Sequence, residues 1–219
     1  MKYNAVIFDL DGTILSTLDD LADSVNYVLE KNGMPKRTKE EIRRFVGNGI
    51  RSLIERSVAP ETNTLTTDKV FADFIPYYKE HCADKTKPYD GIMDMLYTLK
   101  DNGIKLAVLS NKADYAVQEL CDRYFNGIME AVSGEIEGVP KKPAPDGVNL
   151  ILDRLGVSKE KCVYIGDSEV DVYTANNSEL DCICVDWGFR DRSVLQNAGA
   201  KTIVSTPEEL ADTILSNAF

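Results

Sequence analysis

Histidine is almost absent from this sequence, with one residue, His81, in a chain of 219. A single histidine excludes zinc sites built on several histidines. His81 falls at the predicted end of a helix, where we expect a structural or surface role. Long apolar runs are missing as well. No stretch approaches the roughly 20 apolar residues of a membrane span, and the run before Asp9 is too short for a secretory signal. We therefore expect no membrane attachment.

Basic residues are fewer than acidic residues in this sequence. The chain carries 25 Lys and Arg against 36 Asp and Glu, which gives a formal net charge of -11. Nucleic acids and anionic membrane surfaces are bound by an excess of Lys and Arg, so neither is an expected partner. A small phosphorylated metabolite stays compatible with this charge, because a metal ion and a few local cations can overcome the global field.

Cysteine is present in an odd number, five, and no export signal accompanies it. These cysteines are interpreted as reduced thiols of a cytoplasmic protein. Cys182 and Cys184 lie two positions apart in a predicted strand and therefore share one of its faces. We interpret them as small core residues, because no second pair of Cys or His accompanies them to complete a metal site.

Short apolar runs alternate with amphipathic helical patterns along most of the chain. This alternation predicts an α/β fold, a Rossmann-like parallel sheet flanked by helices. Each run is rich in Val, Ile or Leu, as expected of strands covered on both faces. The predicted strands are Ala5–Phe8, Lys105–Ser110, Ile128–Val132, Cys162–Ile165, Cys182–Val185 and Thr202–Val204.

The segment between the first two strands differs, because it contains only helical patterns. A crossover between parallel strands needs about a dozen residues, and this segment is several times longer. We predict a core domain of residues 1–15 and 85–219 and a helical cap domain of residues 16–84, placed as a lid over a strand end. Helix boundaries and a kink are predicted from capping boxes and from Gly and Pro: boxes at Thr17 with Asp20, Thr38 with Glu41 and Thr206 with Glu209, a helix end at Gly33, and a kink at Pro76.

Polar residues follow several predicted strands where each one ends. In open parallel sheets ligands bind beyond the carboxyl ends of the strands, so these side chains should converge. They are Asp9 and Asp11 after the first strand, Ser110, Asn111 and Lys112 after the second, Asp167 and Asp171 after the fourth, and Lys141 and Lys142 in the loop "KKPAPD". Several charged oxygen ligands in one place suit a hard cation such as Mg2+.

This set of residues predicts a specific chemistry. A carboxylate beside a cation at a strand end, such as Asp9, is a competent nucleophile toward phosphorus. Asp11 is placed to act as general acid and base. Ser110 and one lysine can hold the transferring oxygens and balance their charge, and Gly12 permits a tight turn just after the aspartate pair.

Four motifs, "DLDGT", "VLSNK", "KPAPD" and "GDSEVD", occur in this order and together resemble the haloacid dehalogenase superfamily of phosphatases and phosphotransferases. The resemblance implies that Asp9 is the nucleophile and Asp11 the acid/base, with the backbone carbonyl of Asp11 on Mg2+. It also implies that Ser110 and Lys142 hold phosphate. Asp167 would be a metal ligand, and Asp171 a partner of the metal or of Lys142.

Longer segments resemble the phosphoglycolate phosphatase branch of that superfamily, among them "FVGNGIRSLIERSV" and "VDWGFR". In that branch the glycine-rich cap loop, here residues 47–49, faces the active site and helps to choose the substrate. The substrate-binding residues expected from the motifs and from this loop are Gly12, Thr13, Asn111, Gly47 and Asn48. Two departures are visible: Ser16 replaces a usual Asp, and Asn177 with Ser178 replaces a usual Ala-Gly pair.

Other functions stay open from the sequence. Within the superfamily they are a phosphoglucomutase-like phosphotransferase, an inorganic pyrophosphatase and a dehalogenase, although a dehalogenase has no use for an acid/base at Asp11. Outside enzymes, a receiver domain also accepts phosphate on an Asp in an acidic pocket, but receivers lack a long helical insertion. The expected partner is a small phosphorylated metabolite, and the expected assembly is a monomer or a homodimer.

Overall fold

The computed structural model describes residues 2–216. Its core is a six-stranded sheet in which every neighbouring pair of strands is parallel, so the predicted α/β fold is confirmed. The strands are β1 (Ala5–Phe8), β2 (Leu15–Ser16), β3 (Lys87–Pro88), β4 (Lys105–Ala113), β5 (Ala131–Glu135), β6 (Cys162–Gly166), β7 (Asp181–Val185) and β8 (Thr202–Val204). The spatial order in the large sheet is β5-β4-β1-β6-β7-β8, and β2 pairs with β3 separately.

Strand β1 lies at the centre because all four of its side chains are apolar and each face of the sheet is covered. Ala5 and Ile7 pack with Val148 and Ile151 on one face, whereas Val6 and Phe8 join the larger core on the other. The helices that follow the sheet strands are α5 (Ile92–Asp101), α6 (Asp114–Phe125), α7 (Asp146–Leu155), α8 (Glu169–Ser178), α9 (Arg192–Asn197) and α10 (Pro207–Leu215), with a 3-10 turn at Lys159–Lys161.

Strand β1 is hydrogen-bonded to β4 on one side and to β6 on the other. Strands β4 and β5 lie on one side of β1, and β6, β7 and β8 lie on the other, so the strand order reverses at β1. Open α/β sheets form a ligand crevice at such a point.

The helical segment after β1 consists of α1 (Leu18–Lys31), α2 (Lys39–Phe45), α3 (Gly49–Ser57) and α4 (Thr64–His81). Helices α1 and α4 pack together, and α4 continues through Pro76. Strands β2 and β3 form a two-stranded antiparallel ribbon, in which Leu15 pairs with Pro88 and Ser16 with Lys87. The two strands through which the chain enters and leaves the helical segment thus lie next to each other. The domain bounds 16–84 stay a prediction.

Some sequence predictions of element bounds are wrong. The strand predicted at Ile128–Val132 begins at Ala131, because the Ile128 N–H donates to the carbonyl of Phe125 in the turn that ends α6. Strand β4 runs three residues beyond Ser110, with a shift of register between Leu109 and Ala113.

The capping predictions have mixed outcomes. Thr38 and Glu41 form the predicted reciprocal box. Thr206 accepts the Glu209 N–H as predicted, but the Glu209 carboxylate accepts from the N–H of Ser205 and not from that of Thr206. The box at Thr17 is wrong, because Asp20 turns away and accepts the N–H groups of residues 85 and 86, on the chain returning from the helical segment. Among residues 2–216 no helix is both long and apolar enough to cross a membrane.

Candidate active site

A pocket lies between the carboxyl edge of the sheet and the helical segment. Its wall on the sheet side is polar, and its wall on the helical side is largely apolar. The lining residues are Asp9, Asp11, Leu21, Val46, Gly47, Gly49, Ile50, Leu53, Ser110, Asn111, Lys112, Lys142, Asp167, Ser168, Phe189 and Arg190. The sequence-predicted residues at the ends of β1, β4 and β6 therefore converge as expected.

Asp9 begins the polar stretch at the end of β1. Its backbone N–H donates to the carbonyl of Ile165, which continues the sheet ladder by one residue, and its Oδ1 accepts the N–H of Leu10 at 2.7 Å. The same oxygen lies 2.9 Å from Lys142 Nζ. Asp9 is thus fixed by the sheet and faces a cation across the pocket.

Lys142 is held between two carboxylates. Its side chain is 3% exposed, and Nζ lies 2.9 Å from Asp9 and 2.8 Å from Asp171. Burial alone would lower the pKa of the Lys142 ammonium, but the charges of Asp171 and Asp9 raise it well above its ordinary value. Lys142 therefore stays a cation in the pocket, whereas its neighbour Lys141 is half-exposed and donates to the carbonyl of Asn48.

Both carboxylate oxygens of Asp171 already accept hydrogen bonds. One of its oxygens accepts from Lys142 Nζ and from the hydroxyl of Tyr164 at 3.4 Å, and the other accepts from the N–H and the hydroxyl of Ser168 at 3.1 and 2.6 Å. The contacts with Ser168 cap helix α8. Gly166 is required beside it, because a Cβ there would lie 2.2 Å from the carboxyl carbon of Asp171. Asp171 thus connects the helix start to Lys142.

Asp167 follows β6 and lies close to Asp9. Its oxygens accept the hydroxyl of Thr13 at 3.1 Å and the N–H of Phe189 at 2.6 Å. Gly12 permits this approach, because its φ is +86° and a Cβ would lie 2.5 Å from Asp167 Oδ2. Thr13 itself is completely buried and lies outside the set of pocket-lining residues.

Three carboxylates, those of Asp9, Asp167 and Asp171, offer oxygens that all lie within 4.8 Å of one another. Burial raises the pKa of Asp9 to about 7, with the charges of Asp171 and Asp11 acting in the same direction and Lys142 against them. Burial, then the charges of Asp171 and Asp9, also raises the pKa of Asp167 well above its usual range. A cluster of hard oxygen donors with unrelieved repulsion fits a divalent cation such as Mg2+.

The helical segment reaches the pocket through the loop before α3. Asn111 Nδ2 donates to the carbonyl of Gly47 at 3.2 Å and to that of Lys142 at 3.0 Å, while its Oδ1 accepts the Lys142 N–H at 2.9 Å. Asn111 therefore joins the lysine loop to the glycine loop. The side chain of Ser110, in contrast, accepts one backbone N–H, that of Lys112, at 3.3 Å.

The model of the haloacid dehalogenase-like hydrolase family matches residues 6–185 of this sequence. The chain belongs to the haloacid dehalogenase-like hydrolase family. The predicted family is therefore confirmed, and the acidic edge of the sheet just described is the part of the fold in which its four motifs meet.

Relatives in this family are similar over nearly the whole chain. A protein of Chromobacterium violaceum named phosphoglycolate phosphatase is 32% identical over 95% of each chain, and one of Mesorhizobium japonicum with the same name is 29% identical over 89% of this chain and 87% of the relative. The crystal structure of a candidate phosphoglycolate phosphatase from Lactobacillus delbrueckii subsp. bulgaricus is 41% identical, with a TM-score of 0.94 over 98% of this chain and 99% of that one. The predicted likeness to this branch of the family is confirmed.

Both departures from the branch pattern lie outside the pocket. Ser16 lies in the β2–β3 ribbon, opposite Lys87. Asn177 donates from its side chain to the carbonyl of Pro143 at 2.8 Å, next to the lysine loop. Ser178 is buried, and its hydroxyl has no hydrogen-bond partner among residues 2–216.

The structure adds residues to the family site that the sequence argument did not assign. Lys112, which the sequence places at the end of a strand without a specific role, contacts Asp11. Tyr78 of α4 contacts Lys112, and no local pattern indicates this. Arg190, from the quoted segment "VDWGFR", donates to the carbonyls of Arg43 and Val46 and so joins the core to the helical segment.

Proposed function

We propose that the protein is a Mg2+-dependent phosphatase that hydrolyses a small phosphomonoester, with phosphoglycolate as the first candidate, through an aspartyl-phosphate on Asp9. The observation that carries this proposal is the position of Asp9. Its carboxylate lies 2.9 Å from the buried cation Lys142 and belongs to a cluster of three carboxylates within 4.8 Å. A nucleophile, a phosphate-binding cation and a set of metal ligands thus share one pocket.

The residues that would hold Mg2+ are Asp9 and Asp167, together with the backbone carbonyl of Asp11 that the family resemblance implies. Asp171 is better suited to hold Lys142, because both of its oxygens already accept hydrogen bonds. When bound, the cation supplies positive charge to the phosphoryl oxygens and relieves the repulsion among the carboxylates.

In the first step, an oxygen of Asp9 attacks phosphorus and the bond from phosphorus to the alcohol oxygen breaks. Asp11 gives its proton to the departing alcohol. Lys142 and Ser110 bind the oxygens of the transferring group and balance the charge that develops there. The products of this step are the free alcohol, an acyl-phosphate on Asp9 and an ionised Asp11.

In the second step, water attacks the phosphorus of the acyl-phosphate. Asp11 takes a proton from that water, and the bond to Asp9 breaks, which returns both carboxyl groups to their starting states and releases inorganic phosphate. Asp11 thus serves as acid and then as base, which requires its carboxylate to stay near the phosphorus through both steps.

The position of the pocket, with protein on both the sheet side and the helical side, supports a small substrate. Its helical wall consists of Leu21, Ile50, Leu53 and the glycine loop, and it lies directly over the sheet edge. The names of the relatives support phosphoglycolate as the candidate, and the family favours a hydrolase over a receiver domain. All five cysteines are free, in line with the proposed cytoplasmic location.

The test is release of inorganic phosphate from a panel that contains phosphoglycolate, other small phosphomonoesters and pyrophosphate. Each is assayed with and without Mg2+, for the wild type, for Asp9→Asn and for Asp212→Asn, a control that removes an exposed carboxylate from α10. We expect release that needs Mg2+, is abolished by Asp9→Asn and survives Asp212→Asn. Release only from pyrophosphate, or transfer of the phosphoryl group to an added sugar instead of water, would replace this proposal with one of the other activities of the superfamily.

A further inference from the structure

Lys112 is the second buried cation of the pocket, and the reaction steps above do not use it. Its side chain is 2% exposed. Nζ donates to both carboxylate oxygens of Asp11, at 2.9 and 3.2 Å, and to the hydroxyl of Tyr78. An ammonium group has three donors, so these three contacts account for all of them.

Tyr78 brings the helical segment into this contact. It lies on α4, is completely buried, and stacks on Phe74 with 5.1 Å between the ring centroids. The Lys112 ammonium also lies 4.9 Å from the centre of the Tyr78 ring. The lysine belongs to β4 and the tyrosine to the insertion, so the pair spans the boundary between the sheet and the helices.

We propose that Lys112 is a positioning residue that holds the carboxylate of Asp11 toward the leaving group, and that Tyr78 makes this position depend on docking of the helical segment. This inference rests on the proposed function. It assigns Lys112 no contact with the substrate, because its three donors are already occupied by protein.

The geometry explains why such a residue is needed. Asp11 has no place in the cluster formed by Asp9, Asp167 and Asp171, so its carboxylate needs another partner to fix its direction. Two hydrogen bonds from one ammonium restrict rotation of the ionised carboxylate. When one oxygen carries the proton for the leaving group, the bond to the other oxygen still fixes the direction of Asp11. The Tyr78 hydroxyl restricts rotation of the lysine in turn. Without the Tyr78 hydroxyl, Lys112 keeps its charge but loses one of its three hydrogen bonds.

The decisive variant is Tyr78→Phe, with Tyr77→Phe as its control. Tyr77 is the preceding residue on α4, and its ring stacks on Tyr27 instead of facing the pocket. Each removes a single hydroxyl. Two substrates are compared in the first turnover: an alkyl phosphate, whose alcohol must be protonated as it leaves, and p-nitrophenyl phosphate, whose phenolate leaves without help.

We expect Tyr78→Phe to lower the first-turnover rate with the alkyl phosphate by about tenfold, a part of the 10²–10⁴ that general acid catalysis supplies. The rate with p-nitrophenyl phosphate should fall by less than about twofold, since that step does not need the acid. Tyr77→Phe should leave both rates at the wild-type value. A structural defect would lower both rates alike, so equal losses with the two substrates would refute the inference.

Lys112 itself is tested by Lys112→Arg and Lys112→Met. We expect Lys112→Met to show the same selective loss and Lys112→Arg to recover part of the alkyl phosphate rate. If Lys112→Met fails to fold, Tyr78→Phe still decides the question. A raised KM for carboxylated substrates with an unchanged alkyl phosphate rate would show that Lys112 binds substrate, and would overturn the proposal. A wild type inactive toward every monoester would refute the proposed function itself, and the inference with it.

Discussion

Asp9→Asn should stabilise the metal-free protein, and by an amount that grows with pH. Asp9 has a pKa of about 7 in the fold against an ordinary value of 3.8, because it is buried beside other carboxylates. A shift of about three units, at about 1.4 kcal/mol for each unit, makes the ionised carboxylate cost up to about 4 kcal/mol at pH 8. Asparagine has nearly the same shape and carries no charge, so the substitution removes this cost.

The direction follows from proton binding. Between about pH 4 and pH 7 the folded Asp9 keeps a proton that the unfolded chain has lost, so the free energy of unfolding falls as pH rises through this window. Asp9→Asn lacks this dependence. We expect the advantage of the variant over the wild type to grow by about 2 kcal/mol or more from pH 5 to pH 8. For a chain of this size that is about 4–8 °C in Tm.

The assay is thermal unfolding in EDTA at a series of pH values for the wild type, Asp9→Asn and Asp212→Asn. Added Mg2+ should raise the Tm of the wild type at pH 8 and leave Asp9→Asn much less affected, because the cation neutralises the same repulsion. If the Tm difference between Asp9→Asn and the wild type stays constant from pH 5 to pH 8 in EDTA, ionised Asp9 does not destabilise the fold. The repulsion among carboxylates that favours a metal site is then absent.

Five other substitutions have defined outcomes, and two of them, Lys141→Met and Thr17→Val, are controls. Lys142→Met should lower kcat by about 100-fold or more in the phosphate-release assay, because it removes the cation beside Asp9, the proposed nucleophile. Lys141→Met should stay within about threefold of the wild type. Asp20→Asn should lower the free energy of unfolding in urea at pH 7 by about 1–3 kcal/mol, since it weakens buried hydrogen bonds to a charged acceptor. Thr38→Ala should cost about 1 kcal/mol in the same assay through loss of its helix cap. Thr17→Val removes a buried hydroxyl that has no hydrogen-bond partner among residues 2–216, and it should lower the free energy of unfolding by less than half as much as Thr38→Ala.

The central sheet and the acidic edge were predictable from the sequence because their signals are local. An apolar run followed at once by Asp9 and Asp11 predicts a buried strand whose carboxyl end carries two carboxylates. The glycines next to Asp167 and Asp171 allow the close backbone approaches that the site needs. The apolar run with its aspartates, and Gly166 beside Asp171, depend on residues within a few positions of one another, and four such segments in order were enough to indicate the family.

The contacts between the sheet and the helical segment were not predictable, because the partners are far apart in sequence. Tyr78 and Lys112 are 34 positions apart, and Val46 and Arg190 are 144 apart. Nothing in the periodicity of α4 says which of its buried side chains meets a charge. The wrong prediction for Asp20 has the same cause. Its local pattern is typical of a helix cap, but its carboxylate accepts backbone N–H groups that are distant in sequence.

The pairing of β2 with β3 determines how the helical segment can be replaced. Because the two strands that lead into and out of the helical segment are paired with each other, the ends of the segment lie next to each other at the edge of the core. A replacement segment of quite different length could be attached at the same two positions without moving a strand of the large sheet. The residues over the sheet edge can thus be exchanged as one continuous piece of chain, so the same core can be combined with different substrate-selecting segments, provided that each new segment supplies a partner for Lys112 in place of Tyr78.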